Sequence, residues 1–244
     1  MNEILISSIR ERYLHTLDKI AKAAVESGRL PEEVRLVVVS KTQPVEVIQT
    51  AIVAGISMFG ENYAEEALGK IVALKETEVE WHMIGHVQSR KADIIARNFS
   101  LLHSLDSSKL ADRLERICSE LDRILPVLLE FNVSGEESKF GFSAWEENRW
   151  SGLKPDIEKI LSFPHLHVNG LMTMPPLFED PERTRPYFQR LRRLQNFLAN
   201  QFPKVQWQEL SMGTSADFIA AIQEGATFVR IGKAILGPRV IKDN

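Results

Sequence analysis

Eight short apolar runs, at 35–40, 56–60, 80–85, 101–105, 126–133, 166–173, 207–211 and 227–231, recur along this chain. Between them lie amphipathic stretches at helical spacing, among them Pro44–Ala54, Ala64–Leu74, Ser108–Leu121, Arg183–Phe202 and Ala216–Glu224. Strands that alternate with helices imply parallel βαβ units. Eight such units in 244 residues point to a closed barrel rather than an open doubly wound sheet, since α/β barrels use about 250 residues. An open sheet would carry a Gly-rich dinucleotide fingerprint after its first strand. Here the first strand runs into Ser40-Lys41-Thr42-Gln43-Pro44, which has no glycine. The expected fold is α/β, a single (β/α)8 TIM barrel over residues 1–244. An extra helix precedes it: Ile6, Ile9, Tyr13, Leu17, Ile20 and Ala24 repeat at helical period until Gly28 and Pro31. This segment, residues 1–30, is expected to pack on the barrel.

Composition narrows the function classes. The formal charge of −3 argues against a nucleic-acid binder, which normally shows a basic surplus. Arg183, Arg185, Arg190, Arg192 and Arg193 lie among Leu191, Leu194 and Phe197 and read as a solvated helix face. Cys118 is the only cysteine, which excludes an intrachain disulfide and a Cys-rich metal site. Its spacing with Leu110, Leu114, Ile117 and Leu121 suggests a packed thiol. His82 and His86 are four apart on a strand, without the helical geometry or intervening glutamate of a zinc-protease motif, so no metal site is expected. No signal peptide or membrane-length apolar stretch is seen, and the expectation is a soluble cytoplasmic protein with no membrane partner. The stretch Ser134–Gly152, with Trp145 and Trp150, is the longest without periodicity and has no assigned role.

In a barrel, the C-terminal ends of all strands face one rim, where active sites are built. Leu36-Val37-Val38-Val39 delivers Lys41 to that rim at the edge of an apolar core. Desolvation there favours the neutral amine, the starting point of Schiff-base chemistry; a lysine that snorkels to water is the plain alternative. After the last two strands come Ser211-Met212-Gly213-Thr214-Ser215-Ala216-Asp217 and Arg230-Ile231-Gly232-Lys233. Barrels frequently bind phosphate with these two loops, while simple N-capping would also explain the hydroxyls. First and last strands are neighbours on a closed ring. A ligand with an aldehyde at one end and a phosphate at the other would span them, and pyridoxal 5′-phosphate has that shape.

Val38-Val39-Ser40-Lys41-Thr42, Phe59-Gly60-Glu61-Asn62-Tyr63, Trp81-His82-Met83-Ile84-Gly85-His86-Val87-Gln88 and His103-Ser104-Leu105-Asp106 together resemble the YggS-like pyridoxal phosphate homeostasis proteins. Asn132 to Gly141, Gly170-Leu171-Met172-Thr173-Met174, Leu210 to Phe218 and Val229 to Gly232 extend the resemblance, in order, over nearly the whole chain. It implies a monomeric barrel like the cofactor domain of alanine racemase, with pyridoxal 5′-phosphate held on Lys41 as an internal aldimine. By the same resemblance Ser211, Gly213 and Thr214 bind phosphate together with the amides of Gly232 and Lys233. Arg230 contacts the pyridine nitrogen, Asn62 lies beside the ring, and Met172 belongs to the site. Arg90 and Lys233 depart from the family pattern.

Arg230 bears on mechanism. Strong electron-sink enzymes pair the pyridine nitrogen with a carboxylate, whereas an always-charged guanidinium keeps it unprotonated. A racemase of this kind also needs a second base, which the resemblance assigns to a tyrosine from another domain; the chain ends at Asn244 and is expected to lack that domain. The expectation is a protein that holds and exchanges the cofactor, maintaining its intracellular level and supplying apo-enzymes without efficient turnover. The alternative is a pyridoxal-dependent amino-acid racemase, with His86 or Tyr63 as the second base. A cofactor-free Schiff-base aldolase would place its lysine on a later strand, where Lys139 is the competing nucleophile.

Overall fold

Along β1 (Arg35–Val39), Val37 joins an inner apolar cluster while Leu36 and Val38 join an outer one. A strand apolar on both faces must be covered on both. The computed structural model, which describes residues 3–238, does this by closing the sheet. The remaining barrel strands are β2 (Met58–Glu61), β3 (Glu80–Met83), β4 (Leu101–Leu105), β5 (Leu125–Asn132), β6 (Leu166–Met172), β7 (Glu209–Thr214) and β8 (Phe228–Ile231). Each pairs in parallel with its successor, and β1 pairs with β8, Val37 opposite Arg230 and Val38 opposite Ile231. The ring is therefore closed, an α/β barrel with an N-terminal helix before it. The limits of the expected 1–244 unit, residues 1–2 and 239–244, lie outside the described residues.

The helices are α1 (Glu3–Glu26), α2 (Val45–Val53), α3 (Ala64–Ala73), α4 (Ala92–Asn98), α5 (Ser108–Glu120), α6 (Lys154–Leu161), α7 (Arg185–Gln201), α8 (Phe218–Gln223) and α9 (Lys233–Leu236). The helices of the repeat lie against the barrel's outer face, whereas α1 packs across α2, α8 and α9. On α5 the buried stripe is Leu110, Leu114, Ile117 and Cys118, and burial pushes the Cys118 thiol up to about 11. It is a packing residue, as its spacing suggested. The α1 segment is fastened by arginines that reach carbonyls at the ends of other elements. Arg10 Nη2 donates to Val53 O at 2.9 Å, Arg12 Nε to Ile235 O at 2.7 Å, and Arg29 Nη1 to Ala226 O at 2.8 Å. Val53 O and Ile235 O lie in the last turns of α2 and α9, where carbonyls have no partner within their own helix, so the first two bonds serve as C-caps supplied from outside.

Two expectations change. The seventh strand runs from Glu209 to Thr214, not 207–211, so Ser211 lies inside the strand and not in the loop beyond it. Gly213 and Thr214 looked like turn residues, yet the ladder continues as far as Thr214, opposite Arg230, with a register shift on the way. The arginines of α7 are also more than a solvated face. Arg185 pairs with Glu182 and Glu224, Arg193 with Glu147, and Arg190 Nη1 donates to Val133 O at 2.5 Å. Arg190 and Arg193 tie α7 to the long segment after β5. That segment is itself built: Phe142–Ser143 pairs with β5, a 3-10 helix spans Glu147–Leu153, and Trp150 Nε1 donates to Ala144 O at 3.0 Å.

Candidate functional site

The turn that carries Lys41 is clamped from beneath. Ser40 is fully buried and donates to Glu61 Oε1 at 2.6 Å. Lys70 of α3, only 4% exposed, donates to Ser40 O at 2.8 Å, Glu61 Oε1 at 2.7 Å and Glu66 Oε1 at 2.5 Å. The same Glu66 oxygen accepts from Thr42 N at 2.6 Å. Thr42 has φ +61°, an uncommon conformation for a β-branched residue that persists only where its surroundings enforce it. The ammonium is thus spent on both sides of Lys41. Burial raises the Glu61 pKa, an effect that Lys70 and Ser40 oppose. Lys41 itself is half-buried at the barrel rim.

On the neighbouring strand, Arg230 is 3% exposed. Its Nη1 donates to Ser211 Oγ at 2.5 Å, and its Nη2 donates to Thr173 O at 2.9 Å. Burial pushes its pKa down to about 10, which Asp217 and Glu130 oppose, so the guanidinium is a cation at neutral pH. Lys41 stands four residues beyond Val37, the register mate of Arg230, in the turn that follows β1. Between these levels lies Gly232. A Cβ there would stand 2.8 Å from Val39 O, so only glycine lets the two backbones approach this closely. Gly232 opens α9, and the amides of Lys233 and Ala234 head that turn without a partner inside it.

The β7 end is arranged differently from expectation. Ser211 is fully buried, its hydroxyl held between Arg230 and His103. It supports the guanidinium from inside the barrel instead of facing an anion at the rim. Thr214 uses both its amide and its hydroxyl on Asp217 Oδ1, at 2.6 and 3.1 Å. Gly213 turns with φ +93° and packs against α8, where a Cβ would meet Ala221 Cβ at 2.6 Å. Ser215 and Ala216, in the turn just past the strand, are both exposed.

Opposite Lys41 across the mouth, the ends of β3, β4 and β5 hold acid–base groups. His86 Nδ1 lies 2.6 Å from Asp106 Oδ2 and its ring stacks on Phe140, centroids 3.8 Å apart. Glu130 is 5% exposed, and its Oε2 has no partner among the described residues. Burial and the nearby Asp106 raise its pKa to about 7, against the pull of Arg230 and Lys139. Asn62 Oδ1, at the end of β2, is likewise buried and unpartnered among the described residues. Met172 ends β6 within the inner cluster, 1% exposed, and is floor rather than rim. Lys139 is half-buried in a loop that Asn132 organises, its Oδ1 accepting from Ser134 N and Gly135 N. Arg90 stands on the surface in a 3-10 turn, its Nε donating to Gln88 Oε1. Sequence reasoning missed Lys70, Glu66 and Glu130. For Glu130 a signal existed, a carboxylate within an otherwise apolar strand; Lys70 sits on a helix like any surface lysine.

Residues 13–240 match the family model described as alanine racemase, N-terminal domain. Among curated proteins, the chain is 42% identical to the pyridoxal phosphate homeostasis protein of Aquifex aeolicus, over 94% of this chain and 97% of that one. It is 36% identical to the protein of that name from Escherichia coli, over 96% and 98%. Among solved structures, PipY of Synechococcus elongatus with PLP bound superposes with a TM-score of 0.77 at 33% identity, covering 89% of this chain and all of that one. An alanine racemase of Clostridium difficile shares the fold alone, with a TM-score of 0.68 at 15% identity over 58% of its own length.

Proposed function

Since the chain belongs to the pyridoxal phosphate homeostasis protein family, on the alanine racemase N-terminal domain fold, we propose that it binds pyridoxal 5′-phosphate at the barrel rim and buffers it there. Lys41 would hold the cofactor through its amine, the group that condenses with an aldehyde with loss of one water. The observation that carries this reading is the geometry of β1 and β8. Lys41, the close-approach Gly232 and the buried Arg230 are brought together on and just beyond adjacent strands, where one ring could address an amine, a pair of free amides and a guanidinium. Fit is supported by the glycine cradle at Gly232, which a Cβ would fill, and by the unpartnered Asn62 Oδ1. When bound, the cofactor supplies an electrophilic imine carbon and a ring that delocalises negative charge.

The chain's residues divide the work. Gly232, Lys233 and the Ser215–Ala216 turn offer amides to the phosphate, with Gly213 and Thr214 shaping that turn. Arg230 donates to the pyridine nitrogen and leaves it unprotonated, because a guanidinium does not give up its proton at neutral pH. Asn62 flanks the ring and Met172 closes the floor. With the ring a weak electron sink, the protein holds the cofactor and passes it to apo-enzymes without efficient amino-acid turnover, as a cytoplasmic monomer. A second reading, a pyridoxal-dependent racemase, draws on the oriented His86–Asp106 pair.

Purified protein given pyridoxal phosphate should turn yellow, and borohydride should fix the label on Lys41. Lys41→Ala should lose the visible band. Wild-type protein that stays colourless with added cofactor contradicts the binding, and efficient racemisation across an amino-acid panel contradicts the buffering role in favour of the racemase.

A further inference from the structure

A second set of polar groups runs through the barrel, away from the rim. Behind Ser211, His103 Nδ1 lies 2.8 Å from Ser211 Oγ, and His103 Nε2 lies 3.0 Å from His82 Nδ1. His82 Nε2 lies 3.4 Å from Glu80 Oε2, a long contact, at the opposite end of the barrel. His82 and His103 are 2% and 0% exposed. Phe228 sets an edge-on ring against both, with centroids 5.7 and 5.0 Å away. At the far end, a cavity of about 180 Å³ lined by Arg35, Glu80, His82, Glu209 and Phe228 opens beneath the last link.

The direction of every proton in this chain follows from its two ends. A guanidinium has no acceptor, so the Arg230–Ser211 bond uses an Arg230 hydrogen and the Ser211 oxygen. The Ser211 hydroxyl hydrogen then has one acceptor among the described residues, His103 Nδ1. His103 must therefore carry its own proton on Nε2 and donate it to His82 Nδ1. His82 in turn carries its proton on Nε2, which points to a carboxylate oxygen that can only accept when ionised. Burial lowers the pKa of both histidines, His103 well below its ordinary value, so each is neutral and has one proton to place. Bonds to His82 hold the Glu80 carboxyl below its usual range. Cation and carboxylate thus impose the same polarity from opposite faces.

We propose that Arg230, Ser211, His103, His82 and Glu80 form one oriented hydrogen-bonded relay through the barrel, in which His103 and His82 are positioning residues that hold the guanidinium at its place under the bound ring. The inference rests on the cofactor reading for its purpose but not for its existence. An unoriented Ser211 would rotate its hydrogen toward Arg230 and weaken the bond that fixes Nη1; the histidine pair prevents this by accepting that hydrogen. The relay also gives the buried histidines a role that neither metal binding nor packing requires.

The test has two arms. In the cofactor-free wild-type protein labelled with 15N-histidine, long-range proton–nitrogen spectra at neutral pH should show His103 and His82 as neutral Nε2–H tautomers. An Nδ1–H tautomer or an imidazolium at His103 overturns the relay, whether or not the protein takes up cofactor. In the loaded protein, His103→Phe should keep the borohydride-trapped label on Lys41 but release cofactor about tenfold faster, the scale of one charge-assisted hydrogen bond. His103→Asn, whose Oδ1 can accept from Ser211, should restore slow release. Equal release from wild type and both variants overturns the positioning role. A wild type that never loads refutes the proposed function instead, leaving the tautomers to decide the relay.

Discussion

Lys41 is prepared by residues that never reach the rim. The Lys70 ammonium is buried among Ser40 O, Glu61 and Glu66, and its removal would strand the Glu61 carboxylate inside the protein. Breaking a buried pair from one side costs about 3–5 kcal/mol. Lys70→Met is therefore expected to lower stability by that amount in a denaturant titration and to release the strained Thr42 turn. Cofactor affinity should fall with it, measured by the visible band. A variant as stable as wild type would show that the clamp is idle. At this scale the sequence was informative where the signal is local. Lys41 follows an apolar strand directly, so its place at the rim could be read from its neighbours. Ser211 could not be placed that way: its partners Arg230 and His103 are 19 and 108 residues away, and nothing near it announces them. His82 and His103 carried a readable signal, a histidine at an inward position of each of two adjoining strands. Weighing His82 against His86 alone concealed it.

Among the elements, α1 shows how a segment outside the barrel repeat contributes. Arg29, just past its end, donates to Ile222 O at 3.2 Å and Ala226 O at 2.8 Å, around the end of α8. Ile222 O also accepts from Gly225 N at 2.9 Å, and Ala226 lies three residues past the helix, so the guanidinium fastens the turn that leaves α8. Arg29→Ala is expected to cost about 1–2 kcal/mol and to lower Tm by several degrees, as differential scanning calorimetry would show. An unchanged Tm would mean that water replaces the guanidinium without loss. The periodicity of α1, and of α2, α3, α5 and α7, was plain in the sequence because each buries a single stripe. The end of β7 was not. Gly213 and Thr214 are turn residues by composition, but pairing with β8 keeps them in the ladder, and only the neighbouring strand supplies that bond. The three residues of disagreement moved Ser211 from rim to interior.

For the molecule as a whole, the buried carboxyls set the response to pH. Burial and the nearby Asp106 push the Glu130 carboxyl up from the ordinary carboxylate range to about 7, and burial raises Glu61 as well. A carboxyl with a raised folded pKa holds its proton longer than in the unfolded chain. The folded state then binds more protons between about 4.5 and 7, and stability falls as pH rises through that window. For Glu130 the shift is worth roughly 3 kcal/mol above pH 7. Glu130→Gln should therefore be more stable than wild type at pH 8 and flatten the fall, read from urea midpoints between pH 5 and 8; a parallel profile would disprove the shift. The sequence by itself determined the eight-unit repeat, the closed ring, the added helix and the delivery of Lys41 to the rim. Each of these follows from periodicity and turn chemistry within a few residues. The tertiary structure alone decided which buried groups face one another: Lys70 under Lys41, Glu130 opposite it, and the histidines behind Arg230. Closure brings side chains from distant strands into one dry interior, where an unpaired donor or charge is costly, and there pairing depends on neighbours in space rather than neighbours in sequence.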